Sequence, residues 1–324
     1  MTNIAILALE NCMKSSVIGP LDILCVASLE WQRLLSDETP PLFNLVVVTD
    51  DGLPVTCFNG IEIHPDQKKD DCIHLDVIFI PVIWGDLEPI LSNKNLIAWL
   101  RRQNKKGVCI CAVCGGVFVA AETGFLAGRR ATTHWALAAD FKNRYPDVIL
   151  KQEKMLMDEG DFITAGGVTA YMDLSLYLAG RYGSQELALL LSKQLLIDPL
   201  RKSQTPYTSF SFNKAHADAN ILKIQSWMEK NSSENMTIVS LADKAGLTQR
   251  TFARRFKKAT GDTPIEYLQH LRIGKARTLL ETTGDPIDHI IWQTGYDDIS
   301  SFRRLFKKIT GLTPTAYRKK FSVY

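Results

Sequence analysis

The sequence predicts an α/β domain with a mainly parallel sheet, followed by an all-α domain built from a duplicated helical unit. In the first 200 residues, short apolar runs alternate with stretches of helical spacing, which is typical of a buried parallel sheet. Near the C-terminus, residues 248–267 recur at 298–317 with the same residue types in register. A length of 324 residues accommodates two domains, each with its own core.

Predicted strands and helices alternate through the N-terminal region. Strands are expected at residues 3–9, 43–49, 76–82, 108–113 and 162–165, and helices at 17–29, 91–102, 117–122, from 132 onward, 172–178 and 185–196. Between residues 201 and 218 the periodicity disappears and serine, threonine and lysine collect, which predicts an interdomain linker. We therefore expect the domains at residues 1–200 and 219–324.

Cys114 directly follows a predicted strand and is followed by Gly115 and a helix. This order predicts a nucleophile elbow, in which N–H groups of the helix would lower the pKa of the thiol. Catalysis would also need a base and oxyanion donors, and His134 is a candidate base although no spacing places it near Cys114. The simpler alternatives are a small core residue at position 114 and a helix cap at position 134.

The seven cysteines are odd in number and lack the spacing of a disulfide framework, which indicates a reducing cytoplasm. Cys109, Cys111 and Cys114 suggest a metal site, but no fourth ligand is apparent, so we predict neither a metal nor a cofactor. The N-terminus has no basic segment before its apolar run, and no run approaches the ~20 apolar residues of a membrane span. We expect a cytoplasmic protein without a membrane partner.

Each copy of the duplicated unit has the pattern of a helix-turn-helix. Thr248 and Asp298 can cap the N-terminus of a helix, and Gly261 and Gly311 suit the left-handed residue that ends one. A short amphipathic helix and a glycine-containing turn precede each copy. The accompanying helices are expected at residues 219–230, 238–245, 264–280 and 287–294.

The second helix of each unit has a basic outward face, which predicts binding to double-stranded DNA. Arg250 and Arg254 can read guanine in the major groove, and Ala253 can contact a thymine methyl group. Two such helices on one linking helix should enter successive major grooves. The predicted DNA contacts are Arg250, Ala253, Arg254, Lys257, Ser300, Arg303, Arg304 and Lys307.

The charge distribution supports the same assignment. From Asn220 onward, 18 lysines and arginines stand against 10 aspartates and glutamates, a net charge of +8. The preceding residues have 20 against 25, a net charge of −5. An acidic half joined to a basic half indicates that only the C-terminal half meets a polyanion.

The C-terminal hundred residues resemble the DNA-binding domain of AraC/XylS-type transcription regulators. The resemblance is carried by three motifs in this sequence: A-x-x-x-G-L-[ST], F-x-x-x-F-K-K and T-G-x-[TS]-P. It implies a sequence-specific regulator that contacts RNA polymerase and activates transcription more often than it represses it.

The N-terminal region resembles ThiJ/PfpI-like domains of the class I glutamine amidotransferase fold, a flavodoxin-like sandwich, in the version fused to AraC-type regulators. The resemblance is carried by GPLD at 19–22, GFLAGRRATTHW at 124–135, ITAGGVTAYMDLSLYLAGRYG at 163–183 and LLIDPLRKSQTPY at 195–207. It implies a homodimer that senses a small nitrogenous metabolite, such as an amino acid or an amine. The candidate ligand-binding residues are Asp22, Cys114, Gly115, His134 and Trp135.

Three departures from catalytic members of that fold predict a domain that binds without turnover. Val82-Ile83 follows the strand where those members have a glycine pair, Gly115 follows the cysteine where many have histidine, and Ser15-Ser16 lie where they have glutamate. The sequence leaves two alternatives open, which are an amidohydrolase-like enzyme that uses Cys114 and a thiol-based redox regulator.

Overall fold

The computed structural model describes residues 1–36, 38–199, 201–210 and 212–323 and divides into two compact units, Met1–Gln204 and Thr205–Tyr324. The boundary falls inside the stretch predicted as a linker. Ser211 of that stretch, and the predicted domain ends Leu200 and Tyr324, lie outside the described residues.

Most strands of the N-terminal unit join one sheet. They are β1 (Thr2–Leu7), β2 (Phe43–Thr49), β3 (Val55–Thr56), β4 (Glu62–Ile63), β5 (Gln67–Lys68), β6 (Val77–Ile80), β7 (Cys109–Val113), β8 (Arg130–Ala131), β9 (Ile149–Leu150), β10 (Leu156–Asp158) and β11 (Phe162–Ala165). The main sheet has the order β10-β11-β7-β6-β1-β2-β5, with β10 antiparallel to β11 and the other pairs parallel.

The strand order reverses direction at β1, which has β2 on one side and β6, β7 and β11 on the other. This is the order of a flavodoxin-like fold, so the predicted fold class is confirmed. Ligands of such sheets bind at the carboxyl ends of the strands beside the reversal. In this protein β6 adjoins that point and β7, with Cys114 at its carboxyl end, is the next strand.

Helices cover both faces of the sheet. They are α1 (Ser15–Leu35), α2 (Glu88–Leu91), α3 (Lys94–Lys105), α4 (Gly116–Glu122), α5 (Ala138–Arg144), α6 (Ala170–Tyr182) and α7 (Gln185–Gln194). One apolar layer lies between the sheet and α1, α6 and α7, and the other lies under α3, α4 and α5. Along β1, Ile4 and Ile6 enter the first layer and Ala5 and Leu7 the second, as the two-residue repeat of a strand requires.

Three predicted helices differ from the structure. The one expected from residue 132 onward starts with a 3-10 turn at Trp135–Leu137 and continues as α5 from Ala138. The helix predicted at 17–29 extends over Ser15–Leu35 and includes Pro20. The helix predicted at 91–102 is interrupted, because the Asn93 side chain accepts a hydrogen bond from the Leu96 N–H (3.0 Å) and starts a new helix there.

The C-terminal unit is helical, and its two halves repeat the same core. Its helices are α8 (Ala219–Lys230), α9 (Ile238–Lys244), α10 (Gln249–Thr260), α11 (Pro264–Thr282), α12 (Ile287–Gln293), α13 (Ile299–Thr310) and α14 (Pro314–Phe321). In the first half, the ring of Phe256 lies 5.5 Å from that of Phe252 and 5.2 Å from that of Tyr267. Phe302 and Phe306 occupy the same positions in the second core. The helices α9–α10 and α12–α13 form the two predicted helix-turn-helix units.

The predicted caps of these units are present. The Thr248 side chain accepts a hydrogen bond from the Thr251 N–H (3.3 Å), and that of Asp298 accepts one from Ser300 N–H (2.9 Å). Gly261 and Gly311 have φ of +88° and +75°, the left-handed conformation that ends a helix. Within the described residues, no helix has the length and apolar character that a membrane crossing requires.

Candidate functional site

The outward face of α10 carries basic groups that are free to meet a ligand. Arg250, Arg254 and Lys257 are exposed, and in the part of the chain that the structure describes they form no ion pair or side-chain hydrogen bond. Ala253 lies half-buried between the two arginines. Such a face suits phosphate contacts and hydrogen bonds to base edges.

The equivalent face of α13 is partly occupied by internal contacts. Arg303 forms an exposed ion pair with Asp288 of α12 (Nη2 to Oδ1, 2.7 Å). The Arg304 guanidinium donates to the Ser301 hydroxyl (2.9 Å). Ser300 and Lys307 are exposed. The two faces therefore differ. The outward arginines of α10 have no partner among the described residues, whereas those of α13 form an ion pair and a hydrogen bond.

Arg255 also lies on α10, and sequence reasoning did not single it out. It forms a two-pronged ion pair with Asp218 (Nε to Oδ2, 2.9 Å; Nη2 to Oδ1, 2.7 Å). The Asp218 carboxylate also accepts from the Ile221 N–H (3.2 Å) and caps α8. Arg255 thus holds α10 against the start of α8, a role that depends on a partner 37 residues away.

Cys114 occupies the elbow that the sequence predicts. It follows β7 with φ +54°, a left-handed conformation that side chains rarely adopt. Its N–H donates to the Ala165 carbonyl (2.8 Å), and its carbonyl accepts from the Thr133 hydroxyl (2.7 Å). The strained turn is therefore held by β11 on one side and by the segment before His134 on the other.

The prediction of a lowered thiol pKa at Cys114 is wrong. The residue is only 4% exposed, and burial raises the pKa of the Cys114 thiol to about 11, although the Gly115 N–H acts in the opposite direction. At pH 7 only about one molecule in 10,000 carries the thiolate at such a pKa. The thiol is therefore a poor nucleophile at neutral pH.

Carbonyl oxygens of the loop after β6 lie close to Gly115 and Gly116 of the elbow. A Cβ atom on Gly115 would stand 2.6 Å from the Ile83 carbonyl oxygen, and one on Gly116 would stand 2.3 Å from that of Pro81. These positions therefore accept only glycine. An oxyanion hole needs N–H donors, and these two groups are acceptors.

His134 caps the helical turn that follows it. Its Nδ1 atom accepts a hydrogen bond from the Ala136 N–H (3.1 Å), and burial lowers the pKa of its imidazole. Its ring lies 5.1 Å from that of Trp135. The neutral His134 imidazole thus serves as a cap. No contact among the described residues orients it as a general base.

Gln204 organises this region; it lies in the stretch 195–207 that carries the family resemblance, but the sequence assigned it no role. The side chain is 2% exposed and donates to the Thr133 carbonyl (2.8 Å) and the Lys154 carbonyl (2.9 Å). Its Oε1 atom accepts from the Trp135 N–H (3.2 Å). The last residue of the N-terminal unit is therefore fastened to the loop that borders the elbow.

We expect Gln204→Ala to lower the free energy of unfolding of the N-terminal unit by about 1–3 kcal/mol, because buried carbonyl groups lose their donor. Thermal denaturation of the full chain measures this loss. Gln152→Ala is the matched control, since its side chain is exposed and the change should cost under about 0.5 kcal/mol. Equal losses in the two variants would show that the buried contacts contribute nothing.

Four of the other six thiols lie in two pairs, neither of which includes Cys114. The Sγ atoms of Cys12 and Cys57 are 3.9 Å apart, and those of Cys109 and Cys111 are 4.0 Å apart. Among the described residues, no group of three or more histidine, cysteine, aspartate or glutamate side chains is arranged to hold a metal ion.

Asp22 lines a cavity that includes none of the other candidate ligand-binding residues. It is exposed on α1 and borders a cavity of about 470 Å³. Neither Cys114, Gly115, His134 nor Trp135 lines that cavity in the described structure. The structure thus places Asp22 at a cavity apart from the other four candidate residues.

Comparison with known proteins gives matches over both units. The DJ-1/PfpI family matches residues 4–180, more than half of the chain, and a helix-turn-helix domain matches residues 241–320. The chain is 28% identical over 294 residues to the HTH-type transcriptional regulator CdhR of Pseudomonas aeruginosa, covering 90% of this chain and 87% of that protein.

Two further matches cover the N-terminal unit. Isonitrile hydratase of Pseudomonas putida is 29% identical over 201 residues, which are 60% of this chain and 78% of that protein. The crystal structure of a putative transcriptional regulator from Vibrio parahaemolyticus superimposes with a TM-score of 0.53 at 24% identity, over 60% of this chain and 98% of that chain. The latter match supports the fold.

Proposed function

The chain belongs to the DJ-1/PfpI family and carries an AraC-type helix-turn-helix domain, and from this premise we propose that it is a transcription regulator controlled by a small nitrogenous metabolite. The metabolite, an amino acid or an amine, binds the N-terminal unit without being turned over. We further propose that the protein acts in the cytoplasm as a homodimer, contacts RNA polymerase and activates transcription.

One observation carries the DNA-binding part of the proposal. The uncommitted arginines of α10 lie on the exposed face of a helix-turn-helix whose buried face is filled by Phe252 and Phe256. The second helix-turn-helix, formed by α12 and α13, follows α11 and has the same arrangement. Each second helix thus presents basic and polar side chains to a groove while its aromatic side chains fix its orientation.

The test is selection of bound duplexes from a random DNA library with the purified full chain. We expect two half-sites about one helical turn apart, bound at least about 1,000-fold more tightly than random DNA. Equal affinity for selected and random duplexes would contradict the proposal.

Non-catalytic binding is supported by the buried thiol and by the acceptor groups that border it. The enzyme alternative is favoured by the isonitrile hydratase relative, so isonitriles and primary amides are the substrates to test. We expect no turnover above the rate of the Cys114→Ala variant. Turnover that disappears in Cys114→Ala would establish the enzyme instead.

Thiol labelling distinguishes a reactive Cys114 from a buried one. We expect iodoacetamide at pH 7.5 to modify exposed Cys25 first and Cys114 slowly. Because burial raises the pKa of Cys114 to about 11, its rate should increase about tenfold per pH unit up to that value. Peptide mass spectrometry measures both rates.

The control for this experiment is Cys25→Ser, which should remove the fast phase. Cys114 labelled as fast as Cys25 at pH 7.5 would restore the reactive-thiol alternative.

A further inference from the structure

The cavity beside Asp22 lies between α1, α6 and the segment that follows α7. Its volume of about 470 Å³ falls in the range of pockets for small molecules. Apolar side chains form most of the wall, and the charged groups are few. The apolar lining residues are Ile23, Tyr171, Met172, Leu195, Leu196 and Ile197.

The charged groups of the cavity favour a cation. Asp22 and Asp198 contribute carboxylates, and Arg201 contributes the single positive charge. The Arg201 guanidinium is already engaged, because its Nε donates to Asp173 (3.1 Å) and its Nη1 donates to the Thr169 hydroxyl (2.9 Å). The negative charge of Asp22 has no such partner, since in the described part of the chain its carboxylate accepts no hydrogen bond and forms no ion pair.

The aromatic wall depends on a glycine inside α1. A Cβ atom on Gly19 would stand 2.4 Å from Cε2 of the Tyr171 ring, so the ring packs directly on the helix backbone. Glycine inside a helix is unfavourable, and close packing of another group is a usual reason for it.

Leu196 forms an unusual edge of this cavity. It has φ +53°, in the left-handed region, and its side chain is 92% exposed. A residue other than glycine in this region stores backbone strain. A bound molecule with an apolar body would cover this side chain.

We propose that this cavity, rather than the elbow, binds the effector, and that the effector is an aliphatic amine or amino acid whose ammonium group meets Asp22. The proposal rests on the regulatory function proposed above. Arg201 connects the cavity to the end of the N-terminal unit, because it lines the cavity and lies three residues before Gln204, the last residue of that unit. An occupant beside Arg201 therefore acts on the segment that leaves this unit.

The test uses calorimetry on the full chain with five-carbon probes that differ in their polar group. Pentylammonium, pentyltrimethylammonium and 5-aminopentanoate carry the cation, whereas pentanoate and pentanol do not. We expect only the first three to bind, and Asp22→Asn to weaken their binding at least about tenfold, as the loss of a charged contact does. Met172→Trp, which fills the cavity, should have the same effect.

Asp140→Asn is the matched control, because Asp140 is also exposed but lines a different cavity, so the variant should bind as the parent does. Unchanged binding in both Asp22→Asn and Met172→Trp, or equal binding of pentanoate, would overturn the proposal. The absence of binding by all three cationic probes would overturn it too. Affinity for the selected DNA duplex, measured on the same samples, distinguishes failure of the cavity proposal from failure of the proposed regulatory function. A protein that does not bind the duplex would contradict the regulatory function itself.

Discussion

Replacement of both Arg250 and Arg254 by alanine is expected to weaken binding to a selected DNA site by about 2–6 kcal/mol, because each arginine that reads a base contributes about 1–3 kcal/mol. Both side chains are exposed on α10 and have no partner among the described residues. They therefore reach DNA without first breaking an internal contact.

Fluorescence anisotropy on the selected duplex and on a random duplex, at one fixed salt concentration, measures the effect. The loss should be much larger on the selected duplex. Losses of equal size would show that these arginines contact only phosphate, and the salt dependence would then fall by about one unit for each contact removed.

Arg255→Ala is the matched control on the same helix. Arg255 is paired with Asp218, so its removal should loosen the contact between α10 and α8 without changing base preference. A change in the preferred sequence in Arg255→Ala would mean that the ion pair opens when DNA binds.

The C-terminal unit could be predicted well from the sequence because its signals are local. Caps, apolar spacing and terminal glycines lie within a few residues of the helix that they define, and the duplication repeats each signal. Thr248 and Gly261 therefore predicted the limits of α10 closely. The main strands of the N-terminal unit also carried their own signal, since each is a short apolar run.

The short strands and the chemistry of the elbow could not be predicted in the same way. A two-residue ladder such as β3 with β4 has no periodicity to detect. The turn at Cys114 followed from strand and glycine order, but its thiol pKa depends on burial by other elements. Gln204 contacts Thr133 across 71 residues, and the Tyr171 ring meets Gly19 across most of the domain, so neither contact leaves a local pattern.

The second large effect is expected for Gly295→Ala in the turn between α12 and α13. Gly295 has φ +86°, which costs an L-residue about 1–2 kcal/mol. A Cβ atom there would stand 2.3 Å from the Ser233 carbonyl oxygen, so the added methyl group also forces a shift of backbone. We expect a total loss of about 3–5 kcal/mol in the local stability of the second helix-turn-helix.

The surroundings of Ser233 explain why that backbone cannot move freely. The Ser233 hydroxyl donates to the Gln293 carbonyl (2.8 Å), and the Lys275 ammonium donates to both the Ser233 hydroxyl (2.6 Å) and the same carbonyl (3.0 Å). A shift that relieves the clash at position 295 therefore breaks contacts that join α11, α12 and the segment after α8.

Gly246→Ala provides the matched control, because Gly246 occupies the same place in the first unit. Its φ is +64°, but a Cβ atom there would meet nothing within 4 Å, so only the conformational cost of about 1–2 kcal/mol should remain. Hydrogen exchange of peptides from α10 and α13 measures both losses in the full chain. If the two variants lose the same stability, the strained conformation accounts for the whole effect and the contact with Ser233 does not hold the second unit in place.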